Sequence, residues 1–323
     1  MNPAAGTNLP LTTARSLTGK PGEPITPKPG TPATNGGSRG NAAQTAFGYP
    51  RDFLDNRFVY VTVSPRARGL AVGVNLNPDK RCNFNCVYCE VDRGLPAKEQ
   101  RLDVDVAAAE LLRTLALVQS GQLHARPFYS GLPRELLVLR HVALSGDGEP
   151  TLCPNFMEAV EAVVHVRALG KLPFFKIVLV TNGTGLDLPQ VQQSLKFLTK
   201  QDEIWGKLDV GTQNHLETLN RPEPGVTLEK VMANLALVGR QRPIIIQSLF
   251  PVLGGREPGP DEIEQYALRL KELKAAGTQI TLVQIYSSTR PVAGQQCTHL
   301  PLKGLSRIAQ IVRLETGLTV EVF

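Results

Sequence analysis

The chain has 323 residues, 42% of them hydrophobic, which is room for one large domain or two ordinary ones around a genuine core. Five cysteines do not make a secreted disulfide framework, no apolar run approaches the ~18 residues of a membrane helix, and the N-terminus lacks the apolar region of a secretory signal. The net charge is +6, but Arg15, Lys20, Lys28 and Arg39 against Glu23 place half of it in the first 50 residues. The remaining body carries about +3 with no dense basic stripe, which is weak support for a nucleic-acid partner. A reducing, cytoplasmic location is the default expectation.

Residues 1–46 are rich in Gly, Pro, Thr, Ser and Asn. Such a segment buries too little surface to offset its ordering entropy, so it reads as a disordered extension, with a flexible tether as the alternative. Residues 47–323 read as the core domain. Phe58 to Val63 is β-branched and aromatic, hence a strand, and Ala71 to Leu76 is a second, with a turn from Ser64 to Gly69 between them. Asp103 or Asp105 can cap a helix whose Leu111, Leu112, Leu115 and Val118 share a face. After a longer connection over 120–135, His141 to Leu144 is a strand ending at Ser145-Gly146. A helix over 155–169, a buried strand at Lys176 to Val180 and a helix over 189–199 follow. A strand covers Ile204 to Val210. Thr227 opens the next helix, and Ile244 to Leu249 is a strand. Asp261 with Glu264 has the spacing of a helix cap pair, and Gly277 can end that helix. Gln279 to Ile285 is a strand. A helix over 303–315 precedes a short strand from Thr319 to Phe323.

Counted from Ala71, six strands alternate with helices. This α/β pattern argues for parallel strands joined by right-handed crossovers. An open or partial (β/α)6 barrel and a doubly wound sheet both satisfy it. Either places the ligand site at the C-terminal ends of the strands.

The second strand runs directly into Cys82-Asn83-Phe84-Asn85-Cys86-Val87-Tyr88-Cys89. Three cysteines at C-x3-C-x2-C can hold three corners of an iron–sulfur cube and leave the fourth iron open to a substrate. One helix turn cannot place three thiols around a cube, so the segment reads as a loop wrapping metal. Part of a zinc site, or inert buried thiols, are the alternatives.

The spacing resembles the signature of the radical S-adenosylmethionine (radical SAM) enzymes. That resemblance implies a partial (β/α)6 barrel, a [4Fe-4S] cluster on Cys82, Cys86 and Cys89, and S-adenosylmethionine chelated to the open iron. It further implies reductive cleavage to a 5′-deoxyadenosyl radical that takes hydrogen from a substrate. Tyr88 matches the family's aromatic residue beside the adenine. Ser145-Gly146-Asp147-Gly148-Glu149-Pro150 lies where the family has a Gly-Gly-Glu segment, which implies that Gly146, Gly148 and Glu149 hold the methionyl end. A tight βα turn explains the same residues. Asn182, in Thr181-Asn182-Gly183-Thr184, suits a ribose or a carboxylate, and equally a turn.

Alternation puts Lys207 and Asp209 on one side of their strand, as cofactor contacts or as a simple ion pair. Gln213, Gln247, Ser248, Gln284, Tyr286 and Ser287 follow strands and are further candidates, and Arg290 can pair with a carboxylate or phosphate. Cys153 and Cys297 read as ordinary cysteines, and His215 and Glu217 receive no role. With Asn-Arg-Pro (220–222) and Thr-Arg-Pro (289–291), the sequence is similar to an Fe–S oxidoreductase group distantly related to wyosine-type tRNA-modifying synthases. RNA modification and activation of a glycyl-radical enzyme are both compatible with it. An external one-electron donor of flavodoxin or ferredoxin type is implied. The rival expectation is a non-catalytic Fe–S or zinc protein with a structural or sensing role.

Overall fold

The computed structural model describes residues 53–127, 129–288 and 297–323. The extension expected over 1–46 and the Thr-Arg-Pro segment with Arg290 lie outside the described residues.

The elements in chain order are β1 (Val59–Ser64), β2 (Gly69–Asn75), α1 (Val104–Gln119), β3 (Leu139–Ser145), α2 (Phe156–Ala168), β4 (Ile177–Thr181), α3 (Pro189–Ser194) and β5 (Glu203–Lys207). They continue with α4 (Gln213–His215, running into a π-helical turn, Leu216–Asn220), α5 (Leu228–Gln241), β6 (Ile244–Leu249), β7 (Pro251–Leu253) and α6 (Pro260–Ala275). The last are β8 (Ile280–Tyr286), β9 (Cys297–His299), α7 (Leu302–Thr316) and β10 (Val320–Val322). Strands β7 and β9 form a small antiparallel pair.

The main sheet has the order β1-β2-β3-β4-β5-β6-β8-β10. Only β1 is antiparallel to its neighbour. A doubly wound sheet would reverse direction at a switch point. Here the order never reverses, so successive right-handed crossovers coil the sheet one way, and the result is an open partial barrel. Its edges, β1 and β10, do not pair with each other.

Period-two alternation gives each strand two destinations. Val72, Val74, Val142, Leu144, Ile177, Leu179, Ile204, Ile246, Val283 and Ile285 face the helices and join the main core. Val178, Trp205 and Ile245, with Val180 and Leu282, form a second, smaller cluster. On β2 and β3 the corresponding positions carry the small residues Ala71, Gly73 and Ala143, which leaves a hollow there. A Cβ on Gly73 would lie 2.1 Å from the Tyr60 ring, so only glycine lets that ring cross β2.

Several boundaries differ from expectation. The β5 strand stops at Lys207 rather than Val210, because the Asp209 carboxylate accepts the Leu249 N–H (2.8 Å) that a continuing ladder would have used. The helix expected over 189–199 tightens into a 3-10 turn at Leu195–Phe197. The α6 cap is not Asp261 with Glu264. It is Gly259, whose N–H donates to Glu262 (3.1 Å), with Pro260 at the first position, where no donor is needed. Asp103 does cap α1, accepting the Val106 N–H at 3.1 Å.

Candidate active site

The cysteine loop leaves β2 at Asn75 and is gripped on two sides. On one side Glu149 N–H donates to the Arg81 carbonyl (3.0 Å). On the other, the loop pairs with the end of the π turn: Asn85 N–H with the Asn220 carbonyl (3.0 Å), Val87 N–H with that of Leu219 (2.9 Å), and Glu223 N–H with that of Asn83 (2.8 Å). Phe84 and Pro222 complete this pairing. Arg221 turns back with φ +47°, the left-handed conformation the reversal requires.

Cys82, Cys86 and Cys89 are free of disulfides and partly buried. All three lie on the wall of one cavity of about 300 Å³, inside the barrel at the C-terminal strand ends. Tyr88, Gly146, Gly148, Glu149, Asn182 and Lys207 share that wall, as do Gln247, Tyr286 and Ser287. Asp209, Gln213, Ser248 and Gln284 do not line it. Gln213 instead caps α5 by accepting the Leu228 N–H (2.8 Å), and Ser248 bonds to the Tyr266 hydroxyl. Gln284 accepts from Gln247 at 2.8 Å. His215 pairs with Glu262 at 3.1 Å, and Glu217 accepts from Gln213. Cys153 and Cys297 are buried, and burial pushes the Cys153 thiol up to about 11.

Asp209 is the hub behind the wall. Tyr88 Oη donates to its Oδ2, and Asn220 Nδ2 reaches both Asp209 Oδ2 (2.8 Å) and Tyr88 Oη (2.9 Å). The same amide lies 3.5 Å from Cys86 Sγ. Lys207 Nζ is 3.4 Å from Asp209, donates to Tyr286 Oη (3.1 Å) and stands 4.9 Å from the Tyr88 ring centroid. Burial alone would lower the Lys207 pKa, but the Asp209 charge and Tyr286 outweigh it, so the ammonium is held charged. Ion pair and cavity contact are therefore not alternatives for this lysine. Burial, then Asp209, raises the Tyr88 hydroxyl well above its usual range, so it stays a donor.

Both glycines of 145–150 line the cavity with their backbone, and on the side where a Cβ would sit each is packed against protein. A Cβ on Gly148 would lie 1.8 Å from the Arg81 carbonyl oxygen, and one on Gly146 would lie 2.2 Å from Asn75 Oδ1. Glu149 is fully buried. Its Oε1 accepts from Thr151 N–H (3.2 Å), Thr151 Oγ1 (2.7 Å) and Thr181 Oγ1 (2.5 Å), and its Oε2 from Asn182 N–H (2.7 Å). It is a staple between the ends of β3 and β4. Asn182 Nδ2 donates to Asn83 Oδ1 (2.9 Å), and its own Oδ1 accepts from Thr184. The end of β4 thereby fixes the start of the cysteine loop.

Asn220, Asn83, Tyr60, Arg66 and His141 were missed as site residues. For Asn83 the signal was its place inside the cysteine motif, and for Asn220 the Asn-Arg-Pro motif. Nothing in the spacing marks the other three.

The donor set fits an iron–sulfur cluster: three disulfide-free thiols on one loop that lines one cavity, with Lys207 and Asn182 on the same wall. Burial pushes Cys82 up to about 12, with the Glu149 charge adding, and Cys86 up to about 11. To hold iron both thiols would have to release their protons, so loading would be favoured at higher pH. Among the described residues no three His, Cys, Asp or Glu side chains converge as ligands of a single metal ion would. No helix among them is long and apolar enough to cross a membrane.

No family model matches the chain. A UPF0026 protein of Synechocystis sp. is 30% identical over 178 residues, 55% of this chain and 57% of that protein. The chain spans about half the length of the curated relatives it matches. A radical SAM methyltransferase from Sphaerobacter thermophilus superposes over 82% of this chain and 68% of its own, with a TM-score of 0.56 at 15% identity. TYW1 with a lysine-pyruvate adduct bound superposes over 77% of this chain and 74% of its own, with a TM-score of 0.50 at 16% identity. At these identities the likeness is one of fold, and the fold is the partial barrel of the radical SAM enzymes.

Proposed function

We propose that the chain is a radical SAM enzyme in which Cys82, Cys86 and Cys89 hold a [4Fe-4S] cluster and S-adenosylmethionine binds in the cavity beside it. Cluster and cofactor together supply one-electron cleavage to a 5′-deoxyadenosyl radical that abstracts hydrogen from a substrate. The observation that carries this reading is that three disulfide-free cysteines of one loop, the 146–149 backbone and Lys207 line one cavity within this fold.

In this reading the chain's own groups bind, orient and exclude water. Lys207, charged and anchored by Asp209, takes the cofactor carboxylate. Tyr88 presents its ring while Asp209 and Asn220 hold its hydroxyl. The backbone of Gly146 and Gly148 faces the methionyl end, and Glu149 and Asn182 keep that backbone and the cysteine loop in register. Electrons come from an external donor of flavodoxin or ferredoxin type.

The test is 5′-deoxyadenosine formation by anaerobically reconstituted protein with S-adenosylmethionine and dithionite, beside a Cys82→Ala, Cys86→Ala, Cys89→Ala control. Product from the wild type alone, with about four iron and four sulfide per chain, is expected. One zinc and no sulfide, or no product from fully loaded protein with or without candidate substrates, would overturn the reading.

A further inference from the structure

The cavity does not end beneath the cysteine loop. It continues toward the β1–β2 turn, past Tyr60, Thr62, His141, Trp205 and Arg66. None of these is used by the reading above. Arg66 leaves the turn after β1 and crosses the gap between the sheet's two edges. Its guanidinium stands 4.0 Å from the Tyr286 ring centroid, at the end of β8. Close by, Arg68 pairs with Glu321 of β10 at 2.8 Å. Arg66 therefore sits where the open barrel leaves its side gap.

Arg66 differs from the other cation on this wall. Lys207 is paired with Asp209. Arg66 forms no ion pair or hydrogen bond among the described residues, only the ring contact. A half-buried guanidinium without an ion-pair partner has lost part of its hydration, an arrangement that favours an incoming anion. Glu149, a carboxylate on the same cavity wall, is occupied by four protein donors.

His141 adds a second, neutral donor. Its ring is 3% exposed, meets Trp205 edge-on at 5.1 Å, and has no hydrogen-bond partner among the described residues. Burial pushes its pKa down to about 3, with the charges of Lys176 and Arg66 adding. A neutral imidazole can turn one N–H to an oxygen. Tyr60, bonded to Ser145 Oγ at 2.7 Å, closes the wall on the β1 side.

We propose that this lower end of the cavity is a subsite for an oxyanion of the substrate, a carboxylate or a phosphate, with Arg66 as its countercharge and His141 as a hydrogen-bond donor. It deepens the radical SAM reading, since it names a substrate class for the same cavity: a small anionic molecule, or an anionic group reaching in through the side gap. Planar two-point contact suits guanidinium to either oxyanion.

The test is calorimetric titration of the reconstituted protein with pyruvate and, separately, inorganic phosphate, each with and without saturating S-adenosylmethionine. The chain's single tryptophan, Trp205, lines the subsite, so its emission reports where the probe binds. Saturable binding of at least one probe, shifting Trp205 emission and weakened roughly tenfold or more in Arg66→Ala, is expected. Which probe binds identifies carboxylate or phosphate. Arg66→Lys, which keeps charge without the fork, should lose less, and unchanged melting temperatures confirm intact folds.

No saturable binding of either probe, or equal affinity in Arg66→Ala, would overturn the proposal. So would a parallel loss of S-adenosylmethionine affinity in Arg66→Ala, which would assign Arg66 to the cofactor. The titration without cofactor keeps the two readings separable: failure to form 5′-deoxyadenosine sinks the enzymatic reading and leaves the Arg66 result standing.

Discussion

Gly148→Ala is the most sensitive single probe of how the site is built. The new Cβ would lie 1.8 Å from the Arg81 carbonyl oxygen, 2.6 Å from its carbon and 2.7 Å from the Asn77 Cβ. These are backbone and first side-chain atoms, with no flexible tip to swing away. The Arg81 carbonyl must retreat by about 1.2 Å to reach 3.0 Å, the floor of real Cβ contacts. Arg81 immediately precedes Cys82, and its carbonyl holds Glu149 N–H. Overpacking costs about 1–3 kcal/mol and the lost hydrogen bond about 1 kcal/mol, so urea unfolding should show a loss of about 2–4 kcal/mol. A displacement near 1 Å at a reacting centre costs on the order of a hundredfold in rate, so 5′-deoxyadenosine formation should fall by about that factor, with iron loading reduced. Gly131→Ala is the control, because a Cβ there meets nothing within 4 Å. Wild-type unfolding and full iron content in Gly148→Ala would refute the reasoning.

Asn220→Ala removes the donor shared by Asp209, Tyr88 and the Cys86 sulfur. Hydrogen bonds to cluster sulfurs help set reduction potential, so redox titration followed by electron paramagnetic resonance should show a lower potential, and a potential equal to wild type would count against that contact. His141 is neutral in the fold down to about pH 3 but charges near pH 6.5 when unfolded. Its contribution is therefore present above pH 6.5 and is lost as the pH falls toward 3, at about 1.4 kcal/mol per unit. Between pH 7 and pH 5 the wild type should lose about 2 kcal/mol more than His141→Leu in urea unfolding, and parallel curves for the two proteins would sink the argument.

The fold was largely legible because its strands carry their own period. From Ala71 onward each apolar run had a single reading as a buried parallel strand, and the intervening helices followed from their apolar faces. What pattern could not decide was curl against doubly wound, since both share the same alternation and differ only in strand order. The cavity wall was legible where local spacing brings residues together, as it does Cys82, Cys86, Cys89 and Tyr88. It was not legible where residues act across the fold. Alternation puts Asp209 beside Lys207, and the ion pair forms, but the bonds that hold its carboxylate behind the cavity wall come from Leu249 N–H, Tyr88 and Asn220, which are distant in sequence. The packing of Gly146 against Asn75 and of Gly148 against Arg81 is a contact across the fold that no local pattern reveals. Arg66 and His141 look ordinary in sequence, since only the hollow over Ala71, Gly73 and Ala143 brings them to a common space.

The grip of residues 219–223 on the cysteine loop has a consequence for synthesis. Asn220 lies 134 positions after Cys86. At ordinary elongation rates of ~5–20 residues per second, about 7–27 seconds pass between the two leaving the ribosome. For that interval the nascent chain carries three thiols on a loop with half its backbone partners missing. Iron and sulfide delivered then would meet an unformed nest, and an oxidant would meet accessible sulfur. For the proposed cluster, insertion thus belongs after translation of at least the first 223 residues, with the three thiols kept reduced until the second half arrives.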